Sequence, residues 1–595
     1  MLKKSTCNWC YMVRYLLFIL GFSFSQNVLS ALPVEKPVYL YLSPLTQQYS
    51  TANGESYETS LLRWKKYLGG KYKRRYKEIS RVELLGSLEP GVLVLASAQV
   101  LDPDEQSAIR RFAQVGGSLL ATGATGSRDA ANTFIGYAFI ESIFKLRVLG
   151  QYGADVDWFL MPFGDGPLTW AIPAGRRMAV GPNSKDLLRV QSDHLAAVFM
   201  NWIRTKDEVG PNGAIAYHES NGSRSVYFAF PETVWGFHRP AADMKDLLDG
   251  TMDWLHRETR IFKSAWPNGK VAAHLIEMDT EFQFYSAPFF AEDLDQIGVK
   301  GTFYCLTSEA IKYPEIVRKL LARGHEIAYH ADVHFGFKLI DPAAQEKRIQ
   351  TMKEQMRTIL GNSADVATGF RAPTESYDAT TESLLRKYGI LHHAADPSSS
   401  QNRLPFFSVG KADSDAEHSL VVLPRTQLDD IGFKQLIYGP ARVVTNLTYD
   451  LDLVVMSGSF GLLSVHSQNY VEGGLMRQTM TSYLSKVATY KDRLWIARGD
   501  EITEWWRNRE KFKVLQAEQS DVVGFSLTTK SPKIEGAAVF ITLPTINAVP
   551  SVLVKNGSAM KFKIKRIDDF RSAIIFDKLD AGDSTFSVTF TPALL

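Results

Sequence analysis

The chain has 595 residues, of which 45% are hydrophobic, 22% charged and 12% aromatic; this is the composition of several globular domains and excludes a disordered or fibrous chain. Its 67 basic and 64 acidic residues differ by three, and Lys3, Lys4 and Arg14 account for the whole difference because no acid lies in the first 30 positions. The remainder is balanced, which argues against a nucleic-acid binder, whose footprint is a basic excess.

Those three cations precede the apolar run Tyr15–Phe22, which is too short to cross a ~30 Å hydrocarbon core. Polar Ser25, Gln26 and Asn27 follow, and Val28-Leu29-Ser30 sets small or moderately small residues at a cleavage position. Residues 1–30 therefore read as a secretory signal peptide, with an uncleaved membrane anchor as the alternative. Cys7 and Cys10 fall in this segment and Cys305 alone remains, so no internal disulfide can form. An exported chain without bridges suits a bacterial periplasm. Cys305, in the strand-like run Gly301–Leu306, reads as a buried, inert thiol.

Residues 31–262 alternate strand-like and helical segments. Val38–Leu42, Gly91–Ala96 and Ser118–Thr122 are short apolar runs, and Asp102-Pro103-Asp104-Glu105 is a helix start with a cap, a proline and a third-position acid. Strand, capped helix and strand in this order predict a βαβ unit and a parallel sheet. Ser225–Phe230 and the amphipathic stretch Met244–His256 complete the domain. The basic run Lys65–Lys77 reads as a solvated helix face, and Gly123 and Gly126 as turn geometry. The segments Gly116–Gly123 and Ser225–Phe230 loosely resemble the amidotransferase-like, flavodoxin-type domains attached to many carbohydrate enzymes. There is no nucleophilic cysteine here, so amidotransferase chemistry is excluded.

Residues 268–510 carry the chemistry. The apolar strand Ala273–Ile276 ends in Glu277-Met278-Asp279, and carboxylates at the carboxyl end of a parallel strand are well placed for a ligand. His330 and His334 follow, four residues apart, and a single helical turn would set both imidazoles on one side. Two imidazoles and a carboxylate make a three-ligand metal site with open positions. Gly369-Phe370-Arg371-Ala372-Pro373 supplies a cation that would keep a nearby acid ionised. Leu462–His466 ends another apolar strand in a histidine suited to proton donation. His325 reads as structural, and Trp505-Trp506 as core packing. Residues 515–595 hold strand-length runs at short spacing, separated by turn signals such as Asn556-Gly557, and predict a small β-sandwich.

Glu277-Met278-Asp279, His330-Ala331-Asp332-Val333-His334, Arg371-Ala372-Pro373 and Val465-His466 occur in the order of the motifs of polysaccharide deacetylases, the NodB-homology enzymes of carbohydrate esterase family four. Over residues 268–510 the chain resembles that family. The resemblance implies an α/β fold centred on a distorted (β/α)7 barrel, preceded by the flavodoxin/amidotransferase-like domain and followed by the β-sandwich. It implies one divalent metal, zinc first and cobalt or nickel next, held by Asp279, His330 and His334. Glu277 would be the base, Arg371 would orient it, His466 would be the acid and Asp396 would tune that histidine. The order of domains is similar to the C-terminal part of Pel-type exopolysaccharide deacetylases, without the glycoside-hydrolase domain that precedes them there.

The chain departs from the family where glutamate replaces the usual aspartate base. An extra methylene shifts the carboxylate, and ~1 Å of misplacement can cost ~10²-fold in rate. A second register has Asp279 as base and Glu281 as ligand, and a third reading keeps the metal but not the catalysis. The expected function is metal-dependent hydrolysis of N-acetyl groups on an exported or cell-envelope polysaccharide, releasing acetate. Expected partners are that polysaccharide and proteins of polysaccharide export or biofilm assembly, with no nucleic acid. The competing expectations are a non-catalytic polysaccharide-binding or assembly scaffold, and a deacylase of peptidoglycan or small amides.

Overall fold

The computed structural model describes residues 36–73, 75–152, 159–180, 187–200, 212–236, 241–395, 402–408, 419–517, 523–530, 533–556 and 560–591. The segment read as a signal peptide and the candidate Asp396 lie outside the described residues. Among the described residues no helix is long and apolar enough to cross a membrane.

The first domain is built on strands β1 (Val38–Tyr41), β2 (Tyr76–Ile79), β3 (Val92–Leu95), β4 (Ser118–Thr122), β5 (Gly213–Ser220) and β6 (Ser223–Phe228). They lie in the order β2-β1-β3-β4-β6-β5. All neighbours are parallel except the hairpin β6-β5, beyond which further antiparallel strands extend the sheet. Val38–Tyr41, Val92–Leu95 and Ser118–Thr122 are buried throughout, as strands covered on both faces must be. Helix α1 (Pro103–Gln114) joins β3 to β4. Asp102 accepts from the Glu105 N–H, Glu105 accepts from the Asp102 N–H, and Pro103 opens the helix. The strand–helix–strand unit therefore forms where the sequence predicts it. Helix α2 (Ala241–Leu255) packs against β6. In the basic run, Lys65 lies 3.4 Å from Glu58 and 3.2 Å from Glu78, and Lys71 lies 2.9 Å from Asp249.

Among the described residues the central domain holds seven parallel strands side by side, with an eighth, short one beside the first: β7 (Ala272–Thr280), β8 (Thr302–Cys305), β9 (Glu326–Tyr329), β10 (Gly369–Arg371), β11 (His392–Ala395), β12 (Leu420–Pro424) and β13 (Phe460–His466). Their order is β12-β11-β10-β9-β8-β7-β13. A short antiparallel strand, Phe406–Ser408, lies on β12, and Leu494–Ile496 pairs with the start of β7. The sheet curls until its edges meet without a ladder. The Gln427 N–H, just past β12, donates to the Leu462 carbonyl at 3.3 Å, and the Leu462 N–H donates to Thr426 Oγ1 at 3.2 Å.

The C-terminal strands form two four-stranded antiparallel sheets. One contains Phe512–Gln516, Val523–Thr529, Gly582–Thr591 and Val549–Asn556; the other contains Ala538–Thr542, Arg571–Phe576, Phe562–Asp568 and, from the interdomain connection, Ile261–Lys263. Phe576 and Phe586, one from each sheet, have ring centroids 5.6 Å apart in a shared core. Trp505 and Trp506 are buried as expected; Trp505 Nε1 donates to the Ala265 carbonyl at 2.8 Å. Arg224 of β6 is fully buried. Its guanidinium donates to Glu219 at 2.7 Å, to the Trp254 carbonyl at 2.6 Å, and to the Leu543 and Pro544 carbonyls at 2.9 Å each. One side chain thus ties the first domain to the C-terminal sheets.

Candidate active site

Alternate residues of a strand point to one face, so Glu277 and Asp279 of β7 project to the same side, and Glu281 continues the series just past the strand end. In the register with β13, Glu277 lies beside Ser464 and Asp279 beside His466. All three carboxylates are buried. Arg371, the last residue of β10, sits four strand spacings from β13, which would be ~19 Å across a flat sheet. The curl closes that distance. Arg371 Nη1 donates to Ser464 Oγ at 2.6 Å and to the Glu277 carboxylate, while Nε lies 2.9 Å from Asp279 Oδ2. Burial pushes the Glu277 carboxyl up, Arg371 opposes this and the Asp279 charge adds to it, leaving Glu277 at about 7.

His330 and His334 converge on Glu281. Their Nε2 atoms lie 2.8 and 3.0 Å from the same carboxylate oxygen, and their rings are 5.6 Å apart. The expected helical turn is not what brings them together. Strand β9 ends at Tyr329, and Ala331 has φ 69°, in the left-handed region that an α-helix of L-residues does not enter. The segment is a loop, and its shape is held from outside by Arg348 of α3 (Pro342–Leu360). Arg348 donates to Asp332 Oδ1 at 2.8 Å and to the carbonyls of Val333, Phe335 and Gly336 at 2.9, 2.8 and 2.9 Å. His334 is exposed, and Phe282 and Phe335 protrude beside it, 52% and 62% exposed.

His466 closes the other side. Its Nδ1 lies 2.6 Å from Asp430 Oδ1, and its Nε2 lies 3.4 Å from Asp279 Oδ2. Burial lowers its pKa, but the Asp430 charge and hydrogen bond outweigh this and raise it to about 9. Asp430 is itself fixed by the His466 N–H at 3.1 Å and by Asn469 Nδ2 at 2.6 Å. Reading the sequence missed Asp430. The signal was there: Leu420–Pro424 is an apolar strand followed by Arg425, Asp429 and Asp430, the same strand-end pattern as the other motifs. Ser464 and Arg348 carried no such signal. His325 is structural, with Nδ1 accepting from the Gly301 N–H at 3.2 Å, and the Cys305 thiol is buried and raised by that burial.

The structure thus brings together Glu277, Asp279, Glu281, His330, His334, Arg371 and His466. Glu281 is the carboxylate that both loop imidazoles touch, whereas Asp279 contacts Arg371 and His466. The donor set of Glu281, His330 and His334 fits a divalent cation. His330 Nδ1 lies 3.0 Å from the Arg371 carbonyl, which can only accept, so Nδ1 carries the hydrogen and Nε2 of the neutral ring presents a lone pair to Glu281. Two lone pairs facing each other require a cation between them, either a proton or a metal. Without a metal, burial alone would raise the Glu281 carboxyl, yet the hydrogen bonds from His330 and His334 hold it well below the ordinary carboxylate range. Asp279 Oδ1 is buried and has no hydrogen-bond partner among the described residues.

Residues 287–392, from the helix that follows β7 to the start of β11, match the family model described as polysaccharide deacetylase. Among solved structures, the chain is similar to a putative polysaccharide deacetylase from Mycobacterium smegmatis, with 23% identity and a TM-score of 0.34, over 42% of this chain and 94% of that one. A probable polysaccharide deacetylase from Pseudomonas aeruginosa PAO1 aligns with 18% identity and a TM-score of 0.35, over 40% and 92%. A family-four pseudoenzyme from Bacillus anthracis aligns with 12% identity and a TM-score of 0.29, over 41% and 68%.

Proposed function

Because the central domain of this chain belongs to the polysaccharide deacetylase family, we propose that the protein removes N-acetyl groups from an exported or cell-envelope polysaccharide, releasing acetate, and that it does so with one divalent metal, zinc first. The observation that carries this reading is the convergence of two imidazoles on Glu281, with Asp279 and His466 on the adjoining side. The proposed ligands are Glu281, His330 and His334, and Asp279 is the proposed base. This is the second of the two registers, and it leaves Glu277 as an internal partner of Arg371.

When bound, such an ion acidifies a water and polarises the acetamide carbonyl. Asp279 takes the proton of the attacking water, with its other oxygen steadied by Arg371 Nε. Glu277 anchors the same guanidinium from below, so Arg371 cannot swing away from Asp279. His466 is cationic at neutral pH and gives its Nε2 proton to the departing amine, while Asp430 holds Nδ1 and stabilises the charge. Phe282 and Phe335 offer apolar rings at the mouth, on which a sugar face can stack.

The test is acetate release from chitooligosaccharides and from acetylated exopolysaccharide, with and without chelator. Glu281→Ala and His330→Ala are expected to lose both metal and turnover. Asp279→Asn is expected to keep its metal and lose turnover by about 10²-fold or more. Metal retained in Glu281→Ala but lost in Asp279→Asn would restore the first register. Glycan binding with no acetate release from the metal-loaded protein would favour the scaffold reading instead.

A further inference from the structure

The first domain contains a second concavity, of about 320 Å³, far from the carboxylates of β7 in sequence and built from different elements. It is lined by Ser50, Ser56, Tyr57, Ser97, Gln99 and Thr233, among others, and among the described residues Glu55 is the one charged group on its wall. Its place in the fold is specific. Strand β1 pairs on one side with β2 and on the other with β3, so the chain's strand order reverses between β1 and β3. In open parallel sheets, ligands bind outside the carboxyl ends of the strands at such a reversal. Ser50 belongs to the helix that follows β1, Ser97 and Gln99 to the loop that follows β3, and Thr233 to the turn that follows β6. The wall is made of the segments that the rule singles out.

Ser97 is unusual in two ways. Its φ is 45°, a left-handed value that costs about 1–3 kcal/mol in a residue with a Cβ and is retained where surroundings over-determine it. Its hydroxyl is also committed, since Ser97 Oγ donates at 2.7 Å to Glu232 Oε2, a carboxyl that is fully buried. Glu232 Oε1 accepts from Trp64 Nε1 at 2.7 Å and from Thr122 Oγ1, and Thr122 Oγ1 accepts from the Ser97 N–H at 2.8 Å. This network locks the Ser97 rotamer. Its proton points inward to Glu232, so the oxygen's remaining lone pairs are available to the cavity. Among the described residues no histidine is hydrogen-bonded to Ser97, and the group that holds its proton is the buried Glu232 carboxylate.

We propose that this cavity binds a neutral polyhydroxy ligand, a sugar residue, through Ser97 and the surrounding hydroxyl and amide groups. The chemistry of the wall selects the class. Hydroxyl and amide side chains both donate and accept, as a sugar's hydroxyls do. Among the described residues no Lys, Arg or His lines the cavity, and Glu55 on the wall with Glu232 behind Ser97 disfavours phosphate or carboxylate ligands. The volume lies at the lower end of the range for small-molecule sites and suits one or two sugar rings rather than a long chain. The site stands independently of the deacetylase reading.

The test is hydrogen–deuterium exchange of the full protein with and without millimolar N-acetylglucosamine, glucose or chitobiose, with galacturonate as the anionic control. Protection is expected in peptides covering residues 50–60 and 97–99. Ser97→Gly suits the left-handed backbone and removes the hydroxymethyl group with its hydrogen-bonding oxygen, so it is expected to weaken the protection constant about fivefold, the worth of one hydrogen bond of about 1 kcal/mol. Thr233→Trp, at an exposed position on the wall, is expected to abolish the protection by filling the cavity. Protection confined to residues 281–335, protection that survives both substitutions, stronger protection by galacturonate, or none from any neutral sugar would each overturn the proposal.

Discussion

Glu277 and His274 lie three residues apart on β7, and burial acts on them in opposite directions. Burial raises the carboxyl, and Arg371 recovers part of the cost, leaving it at about 7. Among the described residues the imidazole has no anion beside it. His274 Nδ1 lies 3.0 Å from the Gly461 carbonyl and so must donate, and Nε2 accepts from Tyr483 Oη at 2.5 Å. Burial therefore lowers its pKa to about 4, with the Gly461 bond opposing weakly. The unfolded chain takes up a proton here near the ordinary value of 6.5, whereas the folded chain refuses it until about 4. Stability is thus full above pH 6.5 and falls as the pH drops towards 4, by about 3 kcal/mol from this group alone. Urea midpoints measured between pH 7 and pH 4.5 should show that slope. His274→Gln should flatten it whatever the variant's absolute stability, and an unchanged slope would remove His274 from the account.

At the scale of elements, the site combines one rigid component and one that must be held in place. Strand β7 presents Glu277 and Asp279 on one face by its two-residue period alone. The loop after β9 has no such periodicity, and four hydrogen bonds from Arg348 substitute for a regular ladder. Arg348 touches neither Glu281 nor the imidazoles in any of these contacts, so its role is positioning. Arg348→Ala should speed hydrogen exchange over residues 331–337 and weaken metal retention about tenfold, with little change in the global urea midpoint. Lysine, a point donor without the planar fork, should not rescue it. Metal retention equal to that of the unsubstituted protein would show that the loop holds its shape without Arg348.

Across the whole molecule, the three regions are joined by buried polar groups as well as by apolar contact. Arg224 joins β5, α2 and the segment after Thr542 in a single set of hydrogen bonds, and its guanidinium lies over the Trp254 ring at 4.6 Å. Burial brings its pKa down to about 10, with Glu219 opposing, so it stays charged at neutral pH. Truncating it removes a donor from three carbonyls and from one oxygen of the buried Glu219 carboxylate. Arg224→Ala is expected to cost about 3 kcal/mol and to make the C-terminal sheets accessible to protease before the central domain. Simultaneous cleavage of all regions, or no loss of stability, would argue against Arg224 as the tie.

What the sequence determined by itself was local. Short apolar runs marked β3, β4, β7 and β13, and the Asp102–Glu105 capping box marked the start of α1, because strand burial and helix capping depend on residues a few positions apart. The order of the acid, histidine, arginine and histidine motifs was legible for the same reason, since each sits at the end of its own strand. What only the tertiary structure decided was which of those groups meet. The curl of the sheet brings Arg371 across three strand spacings to Glu277 and Asp279, and sets Glu281 rather than Asp279 against the two imidazoles. It also places Asp430 on His466, a pairing across 36 residues that no short-range pattern encodes. The HxxxH spacing suggested a helical turn, whereas the segment is a loop hydrogen-bonded to Arg348, a residue on a separate helix. Short-range chemistry specifies the elements, whereas the distances between their ends depend on how strongly the sheet bends, which is a property of the packed whole.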